Sequence, residues 1–169
     1  MNSFFKSIIG TLFNNKGPQD LPYSTILMRL CLGVYFFSGL PGLMVRFSFE
    51  KAILIMAIDI GVMLLFVYLC LRAFTKLERY IQSITSLAAV GIFFQLIMYP
   101  LLSEIGAETK PDESTLGLIL VFAIWQFTVY AHIFRESFTV RLPAAIALTI
   151  CYVFMSQIIS SLFFPELIQ

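Results

Sequence analysis

Residues 52–71 read AILIMAIDIGVMLLFVYLCL, a run whose only charged member is Asp59. At about 1.5 Å of rise per residue, a helix of this length is about 30 Å long, the thickness of a bilayer's hydrocarbon core. A surface helix of a soluble domain keeps a polar face, and this stretch has none, so it predicts a membrane span. Four comparable runs accompany Ala52–Leu71, at approximately Ser24–Met44, Tyr80–Leu102, Thr115–Phe134 and Leu142–Phe164. The expected fold class is all-α: a polytopic membrane helix bundle of about five transmembrane helices preceded by a short interfacial helix.

Composition agrees with the periodicity. Hydrophobic residues make up 59% of the chain and charged residues 12%, with a mean hydropathy of +0.90, outside the balance of a soluble domain. The longest polar stretch, Ser103–Ser114, is far shorter than the roughly 50 residues of a separate soluble domain. Residues 1–20 are therefore read as an N-terminal amphipathic helix and turn, and residues 21–169 as one transmembrane domain. The basic residues are dispersed, without a cluster interleaved with aromatics, and no nucleic-acid partner is expected.

Alternate connections face opposite sides of the membrane. Lys6, Lys16, Arg72, Lys76, Arg79, Arg135 and Arg141 fall on one side, and only Arg46, Lys51 and Lys110 on the other. The positive-inside rule places the first group in the cytoplasm, giving a cytoplasmic N-terminus and an external C-terminus. The acidic loop with Glu104, Glu108, Asp112 and Glu113 is then external.

Ahead of the first span, Phe4, Phe5, Ile8, Ile9, Leu12 and Phe13 recur at helical spacing, with Lys6, Ser7, Asn14 and Asn15 mostly off that stripe. A helix over residues 3–15 lying in the inner interface is expected, because the segment is too short to cross the core. Gly17-Pro18 should stop it, glycine as a left-handed cap and proline as a block to continuation, with Asp20 and Pro22 restarting the chain. A cleaved signal peptide is the competing reading; Lys6 interrupts its apolar run and no small-residue cleavage site precedes Gly17.

The segment Gly17-Pro18-Gln19-Asp20-Leu21-Pro22, with Ala131-His132-Ile133-Phe134-Arg135 at the end of the fourth span, resembles a group of small multi-spanning inner-membrane proteins of proteobacteria. Five spans with a cytoplasmic N-terminus are also similar to Yip1-type membrane proteins, although the Asp-Leu-Tyr-Gly-Pro motif of the eukaryotic members is absent. These resemblances imply a multi-pass protein of the bacterial inner membrane and bring no defined reaction with them.

An acidic residue inside an apolar span costs about 3 kcal/mol on insertion scales, which makes Asp59 a functional candidate by default. It lies roughly 10 Å from the external end of its span, and the antiparallel third and fifth spans place Gln95 and Gln157 at comparable depth. These three form the candidate intramembrane polar site: either a proton- or cation-linked site or a hydrogen-bonded tie between helices. Arg29 lies roughly 10–15 Å from Asp59 along the membrane normal and is expected to snorkel towards the inner headgroups. Its other reading is a cytoplasmic-side polar site with His132 and Arg135.

His132 is the only histidine, so bis-histidine haem within one subunit and an H-E-x-x-H zinc site are both excluded. Its expected role is to cap helix carbonyls at the end of the fourth span. Cys31, Cys70 and Cys151 fall inside spans and form no C-x-x-C pair. Ser38/Gly42, Ala57/Gly61, Thr85/Ala89 and Ser156/Ser160 are small-x-x-x-small pairs, and Ala57/Gly61 suggests a close helix contact beside Asp59. Ser156, Ser160 and Ser161 are read as bonding helix backbone. Without a nucleophile elbow, a phosphate loop or an aromatic cofactor box, neither enzymatic activity nor a cofactor is expected. The leading expectation is an accessory, assembly or regulatory partner of a membrane complex. The alternative is a small oligomeric transporter or channel using Asp59.

Overall fold

The computed structural model describes residues 2–106 and 113–163. All of the regular structure described is helical: α1 Asn2–Leu12, α2 Thr25–Met44, α3 Phe49–Ala73, α4 Tyr80–Gly106, α5 Glu113–Phe138 and α6 Leu142–Phe163. The last five are long and apolar enough to cross a membrane, with short 3₁₀ turns at Pro18–Asp20 and Leu77–Arg79 between elements. This is a polytopic membrane protein with a short helix ahead of its spans. The acidic connection through Glu108, Lys110 and Asp112 and the chain from Phe164 onward lie outside the described residues, as does the side chain of Glu104.

The turn after α1 departs from expectation. Gly17 has φ −107° and is not the left-handed cap; Asn14, at φ 58°, takes that conformation. Asn15 N and Lys16 N then close the helix on Gly10 O at 2.8 and 3.2 Å. Asparagine is among the few residues other than glycine that enter this region readily, and the side chain of Lys16 passes close over Gly10. Gly17 N instead donates to Asp20 Oδ2 at 2.9 Å, which shapes the 3₁₀ turn. Neither Asp20 nor Pro22 starts the first span; Ser24 does, its side chain accepting from Leu27 N at 3.2 Å.

Contacts run α2–α3, α3–α6, α6–α5, α5–α4 and α4–α2, so the five spans close a ring, with α3 also touching α4. In α4, residues 83–91 (SITSLAAVG) are buried on every face. Six of the nine are Ser, Thr, Ala or Gly, which admit close neighbours, while Ile84, Leu87 and Val90 fill the remaining space. The half of the bundle towards Ala73, Tyr80 and Phe138 is packed by aromatics. Phe134 stacks on Phe138 at 5.3 Å, and Tyr152 lies 5.4 Å from Phe66 and 5.7 Å from Phe134 between ring centroids. Outward faces carry Ile26, Phe37, Leu96, Val121, Phe154 and Leu162, each more than half exposed, as lipid-facing positions require.

The short helix α1 docks on α4 and α5. Its inward face includes Ser7 and Thr11 as well as Ile8 and Leu12, while Phe5, Ile9 and Phe13 point outward. The apolar stripe is therefore divided between bundle and surroundings, and Ser7 is not on the outer face as its place off the stripe suggested. Ser7 Oγ donates to Asp20 O at 3.2 Å, and Trp125 Nε1 donates to Leu12 O at 3.0 Å.

Candidate functional site

Asp59 projects into the ring from α3. Tyr35 Oη donates to Asp59 Oδ2 at 2.6 Å, and Ser156 Oγ donates to Asp59 Oδ1 at 2.8 Å, so α2 and α6 each supply a hydroxyl to one carboxylate oxygen. Two glycines make the approach possible. The Tyr35 ring lies against Gly91 of α4, where a methyl group would fall 2.4 Å from its Cε2 atom, and Gly39 of α2 leaves room for Met56 and Gln95. Ser38 Oγ donates to Gln95 Oε1 at 2.5 Å. On α5, Gln126 Nε2 donates to Tyr130 Oη at 3.3 Å.

A cavity of about 360 Å³ is lined by Asp59, Gln95 and Gln157, with Ser38, Gln126 and Ser156. The three residues singled out from sequence thus border one space, although neither glutamine bonds Asp59 directly. A second cavity of about 490 Å³ shares Asp59, Gln126, Ser156 and Gln157 and is walled by Tyr35, Tyr130, Tyr152 and Phe127. The first extends to Leu43 and Leu102, near the ends of α2 and α4, and the second runs the other way to Tyr130 and Tyr152. At about 1.5 Å per residue these limits lie roughly 10 Å to one side of Asp59 and 6 Å to the other. Asp59 therefore lies on the shared wall of two adjoining, mainly apolar cavities that extend in opposite directions along the bundle, and every span contributes a polar side chain to them.

Among the described residues the buried side-chain polar atom without a partner is Ser86 Oγ, away from these walls; the Tyr152 hydroxyl and Gln95 Nε2 open onto the cavities without a protein partner, and the Gln157 amide does so from an exposed position on α6. No Lys, Arg or His among the described residues pairs with Asp59. Arg29 is exposed on α2, six residues before Tyr35, in keeping with its expected separation from the carboxyl.

The sequence does not point to Tyr35, and Ser156, expected to bond helix backbone, donates to Asp59 instead. Backbone bonding is found at Ser161, whose Oγ donates to Ile158 O at 2.8 Å, and at Thr149, which donates to Ala145 O at 2.8 Å. The available signal for Tyr35 was a phenol inside a span, where its hydroxyl needs a partner. The expected close contact at Ala57 and Gly61 is absent: both are exposed, and nothing lies within 4 Å of a methyl built on Gly61. Two residues on a helix are about 200° apart, so an inward Asp59 turns both of its i±2 neighbours outward.

At the basic end of the bundle, His132 Nε2 lies 2.9 Å from Lys16 O. The carbonyl it serves belongs to the turn after α1 and not to its own helix, which corrects the expected capping role. Gln19 Nε2 donates to Glu136 Oε2 at 3.2 Å, and Gln82 Nε2 donates to Leu21 O at 2.7 Å. The Gly17–Pro22 segment and the end of α5, quoted together for their resemblance to other proteins, are thus in contact. Arg135 is exposed, with Nε 4.0 Å from Glu136 Oε1, and neither it nor His132 bonds Arg29.

Comparison with known proteins adds no relative: no family model matches the chain, and no curated protein or solved structure matches it.

Proposed function

We propose that this chain is a non-enzymatic, multi-pass protein of a bacterial inner membrane, with its N-terminus cytoplasmic, that binds a small cation or a proton at Asp59 and passes it between the two cavities. The observation that carries this reading is a carboxyl group without a cationic partner, bonded by one hydroxyl on each oxygen and bordered by polar side chains from all five spans. A negative charge in a low-dielectric interior demands a countercharge or a proton, and the open lone pairs of Asp59 face the space where one would sit. The carbonyl oxygen of Gln157 and the phenol oxygen of Tyr152 on the same walls can replace part of a cation's hydration shell. The aromatic packing of Phe66, Phe134, Phe138 and Tyr152 closes the path beyond the second cavity and would have to part for passage.

A purely structural tie predicts different walls. Helix-tying polar groups satisfy one another, whereas the Tyr152 hydroxyl, on a residue only 5% exposed, and half of the Gln95 amide do not. This favours the transporter or channel reading over an accessory subunit, for which no specific surface stands out from the lipid-facing remainder. Membership of the proteobacterial inner-membrane group is part of the same proposal and rests on the two short segments already quoted.

The test is flux through purified protein in liposomes, with pyranine reporting protons and radioactive sodium and rubidium reporting metal cations. Wild-type flux that disappears in Asp59→Asn, with the variant folded by circular dichroism, is expected. Equal flux from wild type and Asp59→Asn, or none from wild type above empty liposomes, would reject the proposal.

A further inference from the structure

A separate pocket of about 670 Å³ lies where the α3–α4 and α5–α6 connections and the Pro18–Asp20 turn converge, and three arginines line it: Arg79, Arg135 and Arg141. Their charges are only partly used. Arg79 spends Nη1 on Glu136 O at 2.7 Å and Thr139 Oγ1 at 2.9 Å, which closes the end of α5 and fixes the guanidinium in place. Glu136 is turned towards Gln19, its Oε2 accepting at 3.2 Å, and its other oxygen stands at 4.0 Å from Arg135 Nε. Arg141 has no side-chain partner among the described residues. One carboxylate against three guanidiniums leaves the pocket with a net charge of +2.

Position narrows the ligand. Arg79 immediately precedes Tyr80, where α4 begins, and Arg141 immediately precedes Leu142, where α6 begins. The pocket therefore sits at the level where spans leave the hydrocarbon, which is the depth of lipid phosphates. Its rim includes Val140 and the half-exposed Leu142, continuous with the lipid-facing flank of α6. Guanidinium groups bind phosphate oxygens in pairs, with a planar fork that a lysine lacks. We infer that this pocket binds a phosphate group, presented by the headgroup of an anionic phospholipid, between Arg135 and Arg141 with Arg79 as its fixed floor. The bound lipid would bridge the three connections at this end of the bundle. This site is independent of Asp59 and of any flux.

The experiment uses full-length protein in neutral detergent. Its thermal unfolding is followed on titration with mixed micelles containing phosphatidylglycerol or phosphatidylcholine, and separately with dissolved inorganic phosphate. Phosphatidylglycerol should raise the melting temperature saturably and phosphatidylcholine should not. Arg135→Gln/Arg141→Gln should weaken the apparent affinity at least tenfold. Arg79 is left intact because it closes α5, and Arg46→Gln, at the opposite end, should leave the response unchanged. Equal responses to the two lipids, or an undiminished phosphatidylglycerol response in the folded double variant, would overturn the inference. Saturation by inorganic phosphate in the same concentration range as phosphatidylglycerol would overturn the lipid assignment and make the pocket a site for soluble phosphate compounds.

Discussion

Gly91→Ala and Gly61→Ala make the same chemical change in two spans and should move stability in opposite directions. A methyl group on Gly91 would lie 2.4 Å from Tyr35 Cε2 and 2.9 Å from Cδ2, where carbon atoms pack at about 3.5–4.0 Å. The ring would have to retreat by more than about 1 Å. Tyr35 has little freedom to do so, being 7% exposed and bonded to Asp59 at 2.6 Å. Replacing a mid-helix glycine by alanine contributes about 0.5–1 kcal/mol. Against it stand overpacking, about 1–3 kcal/mol, and loss of much of the Tyr35–Asp59 bond, on the order of 1 kcal/mol in a membrane protein. The net expectation for Gly91→Ala is a loss on the order of 1–3 kcal/mol. Gly61→Ala meets nothing within 4 Å and should keep the gain of about 0.5–1 kcal/mol. Reversible unfolding by dodecyl sulfate in mixed micelles, followed by the fluorescence of Trp125, the single tryptophan, measures both. In Tyr35→Leu/Gly91→Ala the clash is gone, so the double variant should lose about 1 kcal/mol less than the sum of the singles. Gly91→Ala as stable as Gly61→Ala, or additive losses in the double variant, would refute the packing of Tyr35 on Gly91.

Asp59→Asn keeps the shape and an acceptor for Tyr35 or Ser156 and should fold within about 1 kcal/mol of wild type, whereas Asp59→Leu strands both hydroxyls and should cost about 1–3 kcal/mol in the same unfolding assay. Thr75, a β-branched residue held at φ 56° after α3, should gain roughly 1 kcal/mol on replacement by glycine, read as a shift in the unfolding midpoint. His132→Ala removes the contact to Lys16 O and should increase proteolysis between Phe13 and Gly17 severalfold at unchanged global stability; equal cleavage rates would deny that contact a holding role. Reporter fusions at Lys76 and Lys110 test orientation, with alkaline phosphatase activity expected only at Lys110.

The five spans were legible in the sequence because the condition that makes them is local: a backbone in hydrocarbon must satisfy its own hydrogen bonds, and a run of about 20 apolar residues is enough to specify a helix there. The cost of a carboxyl within such a run is equally local, which is why Asp59 stood out, and helix direction alone carried Gln95 and Gln157 to its depth. What Asp59 touches was not legible. Tyr35 and Ser156 are 24 and 97 residues away in the chain, and spans apolar on nearly every face give no periodic signal for which face turns inward. The mutual rotation of α2, α3 and α4 follows from packing, with Gly91 admitting the Tyr35 ring and Gly39 admitting Met56 and Gln95. That same rotation turned Ala57 and Gly61 towards the outside. The two cavities exist only because five helices leave space around groups that none of them could pair alone, a property of their joint arrangement and not of any one segment.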